Sequence, residues 1–449
     1  MTNLITQLFK YIIILLMAVY TLRCFTAFKA MSQKKKQRTY SGQIAIMMAI
    51  HFMLNFMIFL NNMTVMVLVF YVAQICFFTI ALFLYKNIYR NASMMLINNM
   101  FFLLMLGLCI LTRLDFTLAV KQFIIAVVSV LFSLFIPFII SKVTLLSHLG
   151  VLYGVLGLAL VGSVFVFGKS IYGATNWISV GGIAFQPSEL AKIVFVFFIA
   201  SMLYKKADLK RIVFTTVIAA GFVLLLVKET DLGAAVIFFV TYITMLYVAT
   251  RTFKWTAAGL VCGCGAAVVS YHLFSHVRRR VVAWKDPWGN YNDAGYQICQ
   301  SLFAIGTGGW FGLGLYQGLP EDIPVNKSDF IFSVIAEELG GIFAICLILI
   351  YISCFIMIIN ISLQLTNNFY KLLAAGLSIS YVFQLFLCVG GVVKFIPHTG
   401  VTLPLISYGG SSILSTVIVF AVIQGLYLLK QKEVKQIEER ERELYRQQQ

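Results

Sequence analysis

About thirteen stretches of this chain are apolar for long enough to cross a bilayer, and that repetition excludes almost every water-soluble fold. They fall at roughly 6–27, 43–60, 63–85, 94–113, 118–140, 146–168, 189–204, 212–227, 231–249, 256–274, 329–357, 369–393 and 403–428. A helical crossing of the hydrocarbon core needs around 20 apolar residues. Of 449 residues, 61% are hydrophobic and 11% charged, with a mean hydropathy of +0.92. A soluble domain has too little interior to hide that surface. The fold class expected is an all-α polytopic membrane protein. The nine cysteines are scattered, and the close pair in "VCGCG" (261–265) lies inside an apolar run. They read as small hydrophobes, not as disulfides or metal ligands. The first segment lacks a basic leader and a small-x-small cleavage site, so it reads as a retained helix.

The net charge of +17 is concentrated in short connections. "KAMSQKKKQR" (29–38), "KNIYRN" (86–91), "KKADLKR" (205–211), "RTFK" (251–254) and the tail from Lys430 carry the Lys and Arg. Placing the N-terminus outside puts all five on the cytoplasmic side, as the positive-inside rule asks. The loop at 275–328 then lies outside and the charged tail inside, where it forms a solvated helix or disorder. Charge of this kind suits lipid headgroups or phosphate, and no nucleic-acid-binding pattern is present.

Polar residues gather at the outer edge. "YGATNWISVGGIAFQPSELAK" (172–192) brings Asn176, Trp177, Gln186, Ser188, Glu189 and Lys192 to one boundary. Trp177 can be an interface anchor, and Ser188 after Pro187 reads as a helix N-cap. "KETDLG" (228–233) returns Lys228, Glu229 and Asp231 to the same edge, either as a charged hairpin or as the lining of a polar entrance. "RRR" (278–280) on the outside runs against the charge bias. Guanidinium forks bind phosphate oxygens in pairs, so these arginines fit either a lipid headgroup or a pyrophosphate.

"NKSDFIF" (326–332) puts Asp329 where water meets lipid, followed by Glu337 and Glu338. That carboxylate can be an anchor, an ion ligand, a base or a helix N-cap. "KFIPHTGVTLPLISYGGSS" (394–412) adds Lys394, His398, Ser407 and backbone-exposing glycines. No His pair has metal-binding spacing, so His398 carries little weight as a ligand. By chemistry alone these groups suit a lipid-linked phosphate substrate, and they leave transferase and transporter both open.

Taken in order, "GATNWISVGGIAFQPSELAK", "ETDLGAA", "DPWGNYNDAGYQICQSLFAIGTGGWFGLGL", "SDFIFSVIAEELG" and "TGVTLPLISYGGSS" resemble the motifs of the bacterial shape, elongation, division and sporulation (SEDS) membrane proteins. The resemblance implies a core of about ten helices within 91–429, preceded by about three additional helices in 1–90 and followed by a cytoplasmic tail at 430–449. It implies a peptidoglycan glycosyltransferase of the cytoplasmic membrane, acting in cell division or cell-shape maintenance. The substrate would be lipid II, the undecaprenyl-diphosphate-linked disaccharide-pentapeptide. The partners would be a class B penicillin-binding protein transpeptidase and other divisome or elongasome membrane proteins. By the same resemblance Asp329 is the catalytic carboxylate. Arg280, Arg279, Trp177, Gln186, Glu189, Lys192, Lys394 and Ser407 are candidate substrate contacts. No cofactor is required by the resemblance; a divalent cation, Mg or Mn, is left open and its ligands are unknown. The family commonly has a His-Thr pair before the Asp, where this chain has Lys327 and Ser328. Two rivals stand beside the transferase: a polyprenyl-diphosphate flippase, which needs polar groups serving both faces, and a scaffold, which needs no carboxylate in a groove.

Overall fold

The computed structural model of the protein describes residues 2–29, 32–171, 174–180, 183–205 and 208–447. Three long helices come first: α1 (Thr2–Thr26), α2 (Gln33–Asn62) and α3 (Val65–Ile88). Next are α4 (Met94–Leu114), α5 (Phe116–Ser133) and its continuation α6 (Ile136–Lys142), then α7 (Gly150–Gly162) and the single turn α8 (Val164–Phe167). A small antiparallel sheet interrupts the helices, with β1 (Gly168–Ile171), β2 (Ala174–Val180) and β3 (Ile183–Phe185) in that order. The apolar runs resume as α9 (Pro187–Leu203), α10 (Leu209–Lys228), α11 (Leu232–Thr250) and α12 (Phe253–Leu273). The long loop holds α13 (Ser275–Lys285) and α14 (Tyr296–Gly308). After it come α15 (Ile331–Leu339), α16 (Gly341–Gln364), α17 (Asn368–Val392) and α18 (Gly410–Gln447).

Twelve helical segments among the described residues are long and apolar enough to cross a membrane, and the protein is a multi-pass membrane protein. The expected run at 189–204 is absent from those twelve because α9 has only 17 residues, about 25 Å at 1.5 Å per residue. It still traverses the body. Its first turn meets the starts of α11 and α18, and Ser201 near its far end donates to the carbonyl of Leu146 before α7. The expected single run at 329–357 is broken at Gly340, whose φ of 91° a side chain would resist. The run expected from 403 becomes helical only at Gly410.

Burial explains the arrangement. Most of α4 is buried, and Gly107 lets its backbone approach Ile406 so closely that a Cβ would lie 2.7 Å from the Ile406 carbonyl oxygen. No residue of α12 is buried, which puts it at the rim. The first three helices are joined to the rest by polar bonds inside the apolar interior. Tyr20 donates to Asn99 Oδ1 at 2.9 Å, and Asn99 Nδ2 donates to Ser353 Oγ at 3.1 Å, linking α1, α4 and α16. Such bonds hold helices together where apolar contact alone gives no preference over lipid.

Helix ends sort into two sets. The described parts of the basic connections lie at one end with the tail. The opposite end holds the sheet, α13 to α15 and the starts of α5, α9, α11 and α18. Before the tail, every Asp and Glu except Asp208 lies at this second end.

Candidate functional site

Asp329 ends an irregular segment just before α15. The helix takes Phe330 as its N-cap, with no side-chain cap bond, so Asp329 does not fill the helix-capping role. Its Oδ2 lies 3.7 Å from His398 Nε2, and the carboxylate keeps 23% of its surface exposed. Arg280 comes to the same place from α13. It donates to the carbonyl of Thr399 at 2.9 Å, fixing the guanidinium beside the 398–400 turn. Gly400, at φ 71°, faces both groups: a Cβ there would lie 3.4 Å from Asp329 Oδ2 and 3.8 Å from Arg280 Nη2. Burial pulls the Arg280 pKa down, and the charges of Asp231 and Asp329 push it back.

The backbone around Asp329 is held from several directions. Ser407 Oγ donates to the carbonyl of Ser328 at 2.6 Å and accepts from Leu403 N at 2.8 Å. Tyr408 N donates to the carbonyl of Lys327 at 2.8 Å. Lys327 Nζ pairs with Asp115 at 2.8 Å, and that bond holds the Asp115 carboxyl below its ordinary pKa. Val325, Lys394 and Leu405 adopt positive φ of 56°, 59° and 69°. Non-glycine residues in that region carry strain, which a surrounding structure must hold in place.

A second carboxylate, Asp231, organises the neighbouring wall. Its Oδ1 caps α11 by accepting from Ala234 N at 3.1 Å. Its Oδ2 accepts from Asn176 Nδ2 at 3.0 Å, Gln186 Nε2 at 2.9 Å and Ser188 Oγ at 3.2 Å. Ser188 is therefore not the N-cap of α9; Gln186 occupies that position, with Pro187 in the first turn. Gln186 N also donates to Ser411 Oγ at 2.9 Å. Glu189 accepts from Lys192 at 3.1 Å and from Ser415 at 2.6 Å, while Lys192 donates to Gln384 at 2.6 Å. Both oxygens of Glu229 are buried without a hydrogen-bond partner, and burial, with Asp231 nearby, raises that carboxyl to about 8.

The predicted residues thus fall into three groups. Asp329 and Arg280 face one another across Gly400, with Ser407 holding the backbone. Gln186, Glu189 and Lys192 tie α9 to α11, α17 and α18. Trp177, Arg279 and Lys394 stand apart. Trp177 pairs across the sheet with Lys169 and, one residue from Asn176, points to the other face. Arg279 is exposed and pairs with Asp293. The Lys394 carbonyl accepts from Trp284 Nε1 at 3.1 Å. Asp231 and His398 are the site residues whose role was not read from the sequence.

A closed polar cluster lies behind α15. Arg113 Nε and Nη2 each lie 3.1 Å from Glu338 Oε1, which also accepts from Tyr316 N at 3.0 Å. The guanidinium sits 4.0 Å from the Tyr316 ring centroid. The Gly-rich segment packs here on backbone alone: Leu313 N and Gly314 N donate to the carbonyls of Glu337 and Glu338 at 2.9 Å. A Cβ on Gly312 would fall 2.4 Å from the Glu338 oxygen. Gln7 and Lys10 of α1 donate to the carbonyls of Leu313 and Gly312, each at 3.1 Å. Among the described residues no group of three or more His, Cys, Asp or Glu is placed to hold a metal ion.

A family model described as "Cell cycle protein", covering FtsW, RodA and SpoVE, matches residues 100–431. The peptidoglycan glycosyltransferase RodA of Mycobacterium tuberculosis H37Rv is 37% identical over 270 residues, covering 56% of this chain and 57% of that protein. The chain thus spans little more than half the length of the mycobacterial relatives it matches. A probable peptidoglycan glycosyltransferase FtsW of Tolumonas auensis is 33% identical over 282 residues, covering 61% of this chain and 73% of that protein. A chain from a peptidoglycan synthase complex has the same fold at a TM-score of 0.64, with 24% identity over 76% of this chain and 98% of its own. The rod shape determining protein RodA of Thermus thermophilus superposes at 0.57, with 23% identity over 75% and 96%. The family match spans α5 to α17 and the residues placed around Asp329 and Asp231, together with Arg113, Tyr316 and Glu338, and this chain belongs to the FtsW, RodA and SpoVE family of cell cycle proteins.

Proposed function

We propose that this protein is a peptidoglycan glycosyltransferase that polymerises lipid II at the outer face of the bacterial cytoplasmic membrane, in cell division or cell-shape maintenance. The observation that carries this reading is Asp329: a carboxylate at the polar end of the bundle, bonded to no helix start, facing a guanidinium across a glycine. The reaction needs those two groups. A sugar hydroxyl is a poor nucleophile until a base takes its proton, and the departing lipid diphosphate needs positive charge. Asp329 takes the proton of the GlcNAc 4-hydroxyl as that oxygen bonds to C1 of the lipid-linked MurNAc. The C1–oxygen bond to diphosphate breaks with inversion, and Arg280 meets the growing charge. The positive ends of α9, α11 and α18 point toward the same end of the molecule and favour an anion there.

The orientation proposed places the Asp329 end and the N-terminus outside and the tail in the cytoplasm, because the basic connections lie at the tail's end. A class B penicillin-binding protein, which crosslinks the strands, is the partner this reading implies, with divisome or elongasome proteins beyond it. A divalent Mg or Mn ion would meet one carboxylate here. Mg is commonly held by one or two carboxylates together with substrate phosphates, so such an ion would bind with the diphosphate; no step above needs it. A flippase must present polar groups to both faces, whereas before the tail every carboxylate of this chain except Asp208 is gathered at one end.

Asp329→Asn tests the proposal. With lipid II and the penicillin-binding partner, the folded variant should bind substrate and lose at least about 10²-fold in polymerisation rate, the lower scale for removing a general base. Glycan of normal length and rate from this variant would end the assignment.

A further inference from the structure

We infer that His398 is a positioning residue for Asp329: its Nε2–H is directed at Oδ2 and holds the carboxylate so that the other oxygen meets the acceptor hydroxyl. The inference rests on Asp329 being the base, as proposed above. Four observations support it. The imidazole stacks on the ring of Phe330, the residue after Asp329, with centroids 4.5 Å apart and planes 26° from parallel. Phe330 is fully buried, so this stack ties the imidazole to the backbone that carries the carboxylate. Gly391 also lies against it: a Cβ there would lie 3.0 Å from His398 Nδ1 and 3.1 Å from its Cα. The ring is thus packed between α17 and the residue that caps α15.

The hydrogen-bonding pattern sets the tautomer. Nδ1 is buried with no partner, whereas Nε2 faces Asp329 at 3.7 Å. A buried N–H without an acceptor costs about 1–3 kcal/mol, so the proton belongs on Nε2. That places a donor opposite Oδ2. The separation exceeds the 2.7–3.2 Å range of a formed bond, and catalytic hydrogen bonds are often long before substrate binds. The other groups around the turn hold the carboxylate less directly. Arg280 gives Nη1 to the Thr399 carbonyl and forms no ion pair with Asp329, and the Cys388 thiol faces the main-chain oxygen of Asp329, not its carboxylate.

The test separates the donor from the ring, in the full-length protein with lipid II and the penicillin-binding partner. His398→Phe keeps the stack and removes the donor. His398→Gln removes the ring and keeps an N–H at similar reach. The Phe variant should lose on the order of 10-fold or more in kcat with KM unchanged, since a 1 Å misplacement can cost about 10²-fold. The Gln variant should retain most of the parent kcat. Gly391→Ala should slow the parent by crowding the ring and leave the His398→Phe variant no slower. Thermal midpoints confirm that each variant is folded. Parent-level kcat in His398→Phe, or a Gln variant as slow as Phe, overturns the inference. If Asp329→Asn is also fully active, the base assignment has failed; if Asp329→Asn is dead and His398→Phe is not, only the positioning role has failed.

Discussion

Asp231 and Asp329 stand at the same end of the bundle, and both lie near Arg280, yet their surroundings differ in kind. Asp231 is saturated: four donors from four places in the sequence converge on its two oxygens. Asp329 has one imidazole edge at 3.7 Å and open space beside a glycine. A saturated carboxylate stabilises walls, because each donor it satisfies would otherwise be left without a partner. One with spare acceptor capacity can take a proton. The same residue type therefore serves architecture in one position and chemistry in the other, and the number of donors around it separates the two.

The largest expected effect is kinetic. Asp329→Asn should cost at least about 10²-fold in polymerisation while the thermal midpoint stays near the parent's. Asp231→Ala should do the reverse first, lowering the midpoint and the yield of folded protein, since each donor left dry costs about 1–3 kcal/mol. If turnover per folded molecule falls further in Asp231→Ala than in Asp329→Asn, the division of roles is wrong. Arg280→Ala comes next. Losing a charge-assisted contact worth about 1.5–3 kcal/mol should weaken use of lipid II by roughly 10- to 100-fold, read from kcat/KM; an unchanged kcat/KM would remove the guanidinium from the reaction.

A third carboxylate, Glu229, sharpens the contrast through pH. Its folded pKa is raised from 4.5 to about 8 by burial and by Asp231. A raised carboxyl favours the folded state while protonated, so its stabilisation is complete below its unfolded pKa and is lost as pH rises through about 8. Glu229→Gln mimics the protonated form. The midpoint of this variant minus that of the parent should grow from about pH 5 to pH 9; a flat difference would show that Glu229 is solvated. The smallest effect is expected at Arg279, whose pair with Asp293 is more than half exposed on both sides. Exposed pairs contribute about 0–1 kcal/mol, so Arg279→Ala should leave both midpoint and kcat/KM close to the parent's.

The membrane crossings were legible because each is a local run of apolar residues. What the sequence could not display came from pairings distant along the chain. Gly340 sits in an apolar stretch that reads as one span, but its φ of 91° answers contacts with Gly312 and Phe311, nearly thirty residues earlier. Asp231 read as part of either a charged hairpin or a polar entrance, because its three side-chain donors are 43 to 55 residues away. Ser188 had the sequence signature of a cap, yet its hydroxyl is used by Asp231. His398 has no metal-spaced partner in the sequence, and the carboxylate it faces belongs to Asp329, far earlier in the chain. One cluster did leave a signal. Arg113 ends an apolar run and Glu338 lies inside one, and charges at membrane depth occur in pairs; that rule alone could have matched them.

The grip of α1 on the Gly-rich segment has a consequence for how the protein is made. Gln7 and Lys10 find their acceptors 306 and 302 residues further along the chain. At about 5–20 residues per second, roughly 15–60 s of synthesis separate the ammonium from the carbonyl it will hold. Through that interval Lys10 has to keep its charge among the headgroups. The first helix is thus inserted early, and its outer end is anchored late. A ribosome stalled before residue 312 would leave α1 held to α4 through Tyr20 and Asn99, with the acceptors of Gln7 and Lys10 still to be made.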